Sequence, residues 1–199
     1  MNFELWRHLF RARLFLLLRR PEPAAREYTA ALALAPASTT AANGLAMHYA
    51  GEKRYAEAEE LLRRSLAAKE EQPFIWYNLG YLYDQQGRHE EAVTAFTRAT
   101  ELGPKLDQAW YGLGHAHAAV GRHREAAEAL EKAGALVPEN PFVWYSLGMA
   151  YHHLGEAERV AGIAKHLNRF DRRMTRQLIR DSGRADLEHL IADYKPDFR

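Results

Sequence analysis

Three of the four tryptophans in this chain stand at positions 76, 110 and 144, each 34 residues after the last. The same step links Tyr77, Tyr111 and Tyr145; Leu79, Leu113 and Leu147; Gly80, Gly114 and Gly148; and Gly87, Gly121 and Gly155. It also carries Ala92 to Ala126, Ala99 to Ala133 and Pro104 to Pro138. Agreement at so many places on one offset marks an internal repeat. Each unit of such a repeat must be a small supersecondary element that buries its apolar face by stacking on its neighbours.

The spacing inside one unit says what that element is. Trp76, Leu79, Gly80 and Tyr83 fall at i, i+3, i+4 and i+7, one stripe of a helix. Gly87-Arg88 then interrupts the pattern, because glycine accepts the left-handed turn that follows a helix. Ala92, Phe96 and Ala99 form a second stripe, and Pro104 stops it. Gly80, Ala92 and Ala99 let two helices approach closely, while Trp76, Tyr83 and Phe96 fill the space between them. The unit is a helical hairpin.

These residues resemble the tetratricopeptide repeat (TPR) family. Trp76-x-x-Leu79-Gly80-x-x-Tyr83, Ala92-x-x-x-Phe96 and Pro104 match its signature. Residues 107–140 match through Trp110, Leu113, Gly114, Ala126, Leu130, Ala133 and Pro138, with His117 in the tyrosine place. Residues 141–174 keep Trp144, Leu147, Gly148 and Tyr151, but the second helix drifts to Val160, Ala164 and Leu167. A weaker copy covers 39–72 (Ala42, Leu45, Ala46, Tyr49, then Ala58, Leu62, Ser65). In 5–38 the second helix is clear (Ala24, Tyr28, Ala31, Pro36), but Arg11 stands where leucine is usual. The resemblance implies an all-α fold, a right-handed superhelix (α-solenoid) of about five TPR hairpins over residues 1–174, with repeats at 5–38, 39–72, 73–106, 107–140 and 141–174.

Residues 175–199 break the register. Leu178-Ile179, then Leu187, Leu190, Ile191 and Tyr194, predict one or two amphipathic helices divided near Ser182-Gly183, with Pro196 ending the last. Their expected role is to cap the array. The N-terminal helix has no such cover. Its Phe3, Trp6, Phe10 and Leu14–Leu18 run must pack on the second repeat, on another copy of the chain, or on a membrane surface. The uninterrupted apolar run is five residues, too short for a signal-peptide core or a membrane span, and no small-residue cleavage site follows. A cytoplasmic protein is expected.

The 199 residues carry 27 Lys+Arg against 26 Asp+Glu, a formal charge of +1, which excludes a bulk polycation for nucleic acid. By segment the balance is less even: +3 over 1–38, −4 over 39–155 and +2 over 156–199. Arg159, Lys165, Arg169, Arg172, Arg173, Arg176 and Arg180 face only Asp171 in sequence, a solvated helix face or a weak anionic-partner patch. The absence of cysteine removes disulfides, thiolate metal sites and cysteine nucleophiles.

In TPR proteins the first helix of each hairpin lines the concave surface, so the resemblance implies where a partner would bind. The groove positions are Asn43 and Met47; Phe74, Tyr77, Asn78, Tyr81, Asp84 and Gln85; Gln108, Tyr111 and His115; and Phe142, Tyr145, Ser146, Met149, His152 and His153. They are rich in aromatics and hold no Lys or Arg. Aromatic side chains offer contact area at low entropic cost, and asparagines can bond an extended peptide backbone. Some family members clamp a C-terminal carboxylate with Lys and Arg here; Asn43, Asn78 and Ser146 make that mode unlike this chain. An apolar or aromatic peptide segment fits better. The competing reading is that these tyrosines only pack between hairpins.

Other constellations point away from chemistry. His115, His117, His152 and His153 could converge, but a metal would need two or three of them aligned with oriented partners, and none is expected. His89 and His123 occupy equivalent turn positions. Gly112-x-Gly114 lies mid-helix and lacks the third glycine of a dinucleotide loop. There is no Walker loop, Gly-x-Ser-x-Gly elbow or His-Glu-x-x-His. The sequence predicts a non-catalytic scaffold without a cofactor that binds a protein or peptide segment, as chaperone or adaptor. The alternatives are self-assembly through residues 1–20, or an adaptor at a membrane surface or anionic partner through the basic ends.

Overall fold

The computed structural model describes residues 3–192, and every regular element among them is helical. Tyr194 and Pro196, expected in the last cap helix, lie outside the described residues. The chain divides into two compact units, the first ending at Gly103 and the second beginning at Pro104.

The first unit contains three helical hairpins: α1 (Phe3–Leu17) with α2 (Pro21–Leu34), α3 (Thr39–Gly51) with α4 (Tyr55–Ala68), and α5 (Pro73–Gln85) with α6 (His89–Leu102). The second contains α7 (Asp107–Ala119) with α8 (His123–Leu136), and α9 (Pro141–His153) with α10 (Ala157–Leu167). Then α11 (Arg172–Asp181) packs on α9 and α10, and a 3₁₀ helix (Ala185–Ile191) packs on α11. Three hairpin helices, α2, α5 and α9, start on a proline, which lacks only an N–H that no helical carbonyl could have used. Others start on a side-chain cap: Ser38 accepts from the Ala41 N–H and Asp171 from the Met174 N–H.

The turn inside each hairpin is built to one geometry. Gly87, Gly121 and Gly155 have φ of 72°, 78° and 71°. The same turn 34 residues earlier holds Lys53 at φ 61°, and one step further back it holds Arg19 at φ 56°. The repeat therefore extends to the first hairpin in its backbone where it is no longer legible in its side chains. Two non-glycine residues bear a left-handed conformation that glycine adopts freely.

Packing follows the stripes. Leu79, Gly80, Tyr83, Ala92, Phe96 and Ala99 are all buried. A Cβ placed on Gly80 would lie 2.7 Å from the Phe96 ring, so glycine is what lets α5 and α6 close on each other. Each repeat tryptophan is only half-buried, and its indole N–H donates to a carbonyl six residues upstream: Trp76 to Glu70, Trp110 to Pro104, and Trp144 to Pro138. These bonds tie the start of each first helix to the preceding loop. In the second unit, Val160, Ala164 and Leu167 are buried with Leu147, Tyr151 and Leu178, so the drift in sequence at α10 leaves the core intact.

Helix α1 resolves into two faces. Ala12 is fully buried, and Leu5, Leu9 and Phe15 pack on the cluster formed by Tyr28, Ala31 and Leu45. Arg11 reaches Glu27 of α2 at 2.9 Å, and His8 lies 2.6 Å from the same carboxylate. The opposite side leaves Phe3, Trp6, Phe10, Leu14 and Leu17 exposed. No helix among the described residues is long and apolar enough to cross a membrane.

Candidate binding surfaces

The residues expected to line a binding groove divide, on their geometry, into presented and engaged side chains. In the first unit, Phe74 and Tyr81 are exposed, at 62% and 38% of their surface. Phe74 follows Pro73 in the first turn of α5, where the chain enters the helix with its side chain still outside the hairpin contact. Asn43 and Met47 are half-buried on α3. Asn78 is buried, and its amide donates to the Asn43 side chain at 2.5 Å, joining α5 to α3. Tyr77 packs its ring on Phe96 of its own hairpin, with centroids 5.9 Å apart.

In the second unit, Phe142 is 60% exposed one residue after the proline that starts α9, the place Phe74 holds in α5. Gln108 and His115 are also exposed, while Tyr111, Ser146 and Met149 are half-buried. Tyr111 and Met149 lean on the apolar core. Tyr145 donates its phenol to Asp181 of α11 at 2.8 Å; burial first, and then this carboxylate, push its pKa up. Of the four histidines considered together, His153 lies 5.4 Å from its sequence neighbour His152 and stacks on His123, the first residue of α8, at 4.5 Å.

Around Asn43 and Phe74 the first unit forms a cleft of about 510 Å³. Its walls include Arg13 of α1, Tyr28 of α2, Thr39 and Thr40 at the start of α3, and Glu71 and Gln72 before α5. Gln72 fixes that last wall by donating to the Ser65 and Lys69 carbonyls at 3.0 and 2.5 Å. The Tyr28 phenol is pushed up in pKa by burial, against a smaller lowering by the Arg13 charge. Thus the cleft is amphipathic, with a cation and an anion beside an exposed aromatic ring. Arg13, Thr39, Thr40 and Glu71 were not among the expected groove positions. They come from α1, from the start of α3 and from a loop, outside the one stripe of each first helix that the family resemblance implies. The 34-residue step could have found Thr40, which is the counterpart of Phe74.

A separate polar arrangement recurs beside the core tyrosine. The Tyr83 phenol donates to Glu59 at 3.1 Å and accepts from Arg63 at 2.7 Å, while the Arg88 guanidinium lies over its ring at 4.3 Å and bonds Glu59 at 2.7 Å. In the second unit the Tyr151 phenol donates to Glu131 and accepts from Arg159 at 2.6 Å, with Arg159 over the ring at 4.8 Å. Burial, then the Glu131 hydrogen bond, push Tyr151 up to about 12. The charges have changed places. Arg63 precedes its tyrosine by 20 residues, as Glu131 does, and Glu91 follows by eight, as Arg159 does. These networks satisfy the phenol of a buried tyrosine.

Two family models described as tetratricopeptide repeat match the chain, over residues 38–105 and 107–151, together more than half of its length. No curated protein matches it. Among solved structures, it is similar to YrrB, described as a TPR protein with an unusual peptide-binding site. That match has 21% identity, covers 89% of this chain and 90% of that one, and has a TM-score of 0.72. It is also similar to MamA, at 20% identity over all of both chains and a TM-score of 0.70. A third similar structure is pilF of Pseudomonas aeruginosa, at 21% identity over 96% and 93% of the two chains and a TM-score of 0.72. The helical hairpins, their shared turn and the matched repeats lead to one assignment: the chain belongs to the tetratricopeptide repeat family.

Proposed function

We propose that this protein is a non-catalytic scaffold whose first unit holds an extended peptide or protein segment in the cleft beside Phe74. The observation that carries the reading is the cleft itself: about 510 Å³, with an exposed Phe74 ring next to the Asn43 amide, and with Arg13 and Glu71 in its walls. An aromatic or aliphatic side chain of the client would rest on Phe74. Asn43, Thr39 and Thr40 offer partners for its backbone, and the Arg13 and Glu71 charges would set direction. YrrB, a structure of the same fold, is described as having a peptide-binding site, which supports this reading. A role as chaperone or adaptor in the cytoplasm belongs to the same proposal. In the second unit, Phe142, Gln108 and His115 are the exposed positions for further contacts.

The test is selection of binders from a random peptide display library, followed by anisotropy titration of the selected peptides on intact protein and on Phe74→Ala. Selected peptides carrying an aromatic or aliphatic anchor, bound more weakly by Phe74→Ala, are the expected result. Equal affinity for the variant would overturn the cleft as the binding site.

A second reading, self-association, draws on a different observation. On the outer face of α1, Phe3, Trp6 and Phe10 form a ladder of stacked rings, with centroids 6.2 and 5.3 Å apart. Their exposures are 68%, 46% and 53%. Aromatic surface of this extent favours burial against a partner face, and a second copy of α1 would supply one. Sedimentation velocity on the protein and on Trp6→Arg with Phe10→Arg separates the cases. A dimer reduced to monomer by the substitutions supports it, and a wild-type monomer at all concentrations rejects it.

A further inference from the structure

We propose that Glu22, His48 and Glu52 form a binding site for a divalent transition cation of the zinc class, bridging the first two hairpins. The antiparallel packing of α2 on α3 makes it: Glu22 lies in the first turn of α2, His48 in the last turn of α3, and Glu52 immediately after α3. His48 Nε2 is 3.5 Å from Glu52 Oε1 and 4.0 Å from Glu22 Oε2, and one ligand atom from each of the three lies within 4.8 Å of the others. Ligands at zinc bond lengths in a tetrahedral shell stand about 3.4 Å apart. The Glu52 pair already meets that spacing. Glu22, with 65% of its side chain exposed, is free to close the remainder.

Three further features separate this cluster from a chance surface ion pair. His48 is held in place, with its side chain only 12% exposed, so the imidazole does not need to be immobilised on binding. Glu52 is oriented from behind: Arg54 donates to its other oxygen at 3.0 Å, and Arg54 is itself fixed by Glu57 and by the Tyr49 ring 4.0 Å away. Such an outer contact is how metal-binding carboxylates are commonly aimed. Finally, two carboxylates balance the charge of a dication.

The donor set selects the metal class. Calcium and magnesium prefer an all-oxygen shell of six or more ligands, which one imidazole and two carboxylates on two helices do not provide. An imidazole with two carboxylates suits zinc and its neighbours, with solvent completing the shell. Bound there, the cation would pin the start of α2 to the end of α3 and stabilise the first hairpin, the one whose repeat signature is most eroded.

The test is titration of ZnCl₂ into the untagged, chelator-dialysed chain by isothermal calorimetry, with thermal melts in zinc and in EDTA. Wild type, His48→Ala and Glu22→Gln are compared, and far-ultraviolet circular dichroism establishes that each variant folds. The chain has ten histidines, so site identity rests on the variants. Removal of a ligand should weaken the affected binding step by roughly tenfold or more and abolish the zinc-dependent rise in Tm. Glu22 is exposed, so Glu22→Gln reports on ligation even if His48→Ala perturbs packing. Absence of zinc binding in wild type would overturn the proposal. So would binding that Glu22→Gln leaves unchanged, which would place the metal on other histidines.

Discussion

The Tyr83 phenol stands 3.1 Å from the Glu59 carboxylate, which lies 24 residues earlier in the preceding hairpin. Glu59 also accepts from Arg63 at 2.8 Å and from Arg88 at 2.7 Å, so one carboxylate gathers three donors from two hairpins. Burial alone would raise its pKa. The hydrogen bonds from Arg88, Arg63 and Tyr83 together outweigh burial and hold it below the usual 4.5. A carboxylate lowered by folding supplies stability that is whole above its unfolded pKa and is lost as pH falls through its folded one. Glu59→Gln should therefore be less stable than wild type at pH 7, with the gap narrowing below about pH 4.5. Urea melts at pH 7, 5, 4 and 3 measure this. A gap that stays constant over that range would mean that the Glu59 charge is not what joins the hairpins.

The five equivalent turns differ in side chain but not in backbone sign, and this sets a second prediction. Lys53 at φ 61° carries a left-handed cost of about 1–2 kcal/mol, part of which glycine would replace by a loss of about 0.5–1 kcal/mol in chain entropy. Lys53→Gly should stabilise the first unit by up to about 1 kcal/mol, worth about 2–4 °C in Tm for a chain of this size. The converse change is cleaner. A Cβ at Gly87 would meet nothing within 4 Å, so Gly87→Ala tests backbone strain without a clash and should cost about 1 kcal/mol. Opposite signs for the two substitutions in parallel urea melts are the expected outcome.

Most of the fold was legible in the sequence because a 34-residue step exposes the same physics several times. Trp76, Gly80, Gly87 and Phe96 each perform a task that a single sequence can state: fill, approach, turn, fill. The binding surface was less legible for a physical reason. A stripe one place along from the core stripe is on average the presented face, but a polar residue there that loses its water bonds whatever lies nearest. Asn78 found Asn43 across the hairpins, and Tyr145 found Asp181 on α11. Neither partner is at a repeat offset, so periodicity does not reveal the pairing. Phe74, with no polar atom to satisfy and a proline before it, stayed outside. The cleft beside it draws on Arg13 and Glu71, which belong to no stripe.

That distinction orders the expected effects of substitutions on client binding. Phe74→Ala removes an exposed ring from the cleft and should weaken a bound peptide at least about fivefold, the loss of a contact worth about 1 kcal/mol, while leaving circular dichroism unchanged. Tyr81→Ala, on the presented side of the same helix, should be equally harmless to folding. Tyr77→Ala should instead lower stability, because its ring is packed on Phe96. Affinity and Tm measured on the same three variants separate the classes. A Tyr77→Ala protein with unchanged Tm and lost affinity would return that tyrosine to the binding surface.

The close contact of Gly80 with Phe96 in the first unit supports a quantitative test of how the hairpin closes. A methyl at Gly80 would sit 2.7 Å from the Phe96 ring, which is 3% exposed and leaves no room to yield, so Gly80→Ala should cost about 1–3 kcal/mol through overpacking. Phe96→Leu removes ring volume at the same contact and should cost a further fraction of the roughly 3–5 kcal/mol expected for full truncation to alanine. If the two act through one contact, the added methyl fills space that the smaller side chain vacates. The double variant should then lie above the sum of the single losses by about 0.5–3 kcal/mol. Urea melts of the four proteins complete the cycle. Strict additivity would mean that α5 and α6 respond to the added methyl by moving apart, and that small residues at this crossing serve helix geometry rather than the Phe96 contact.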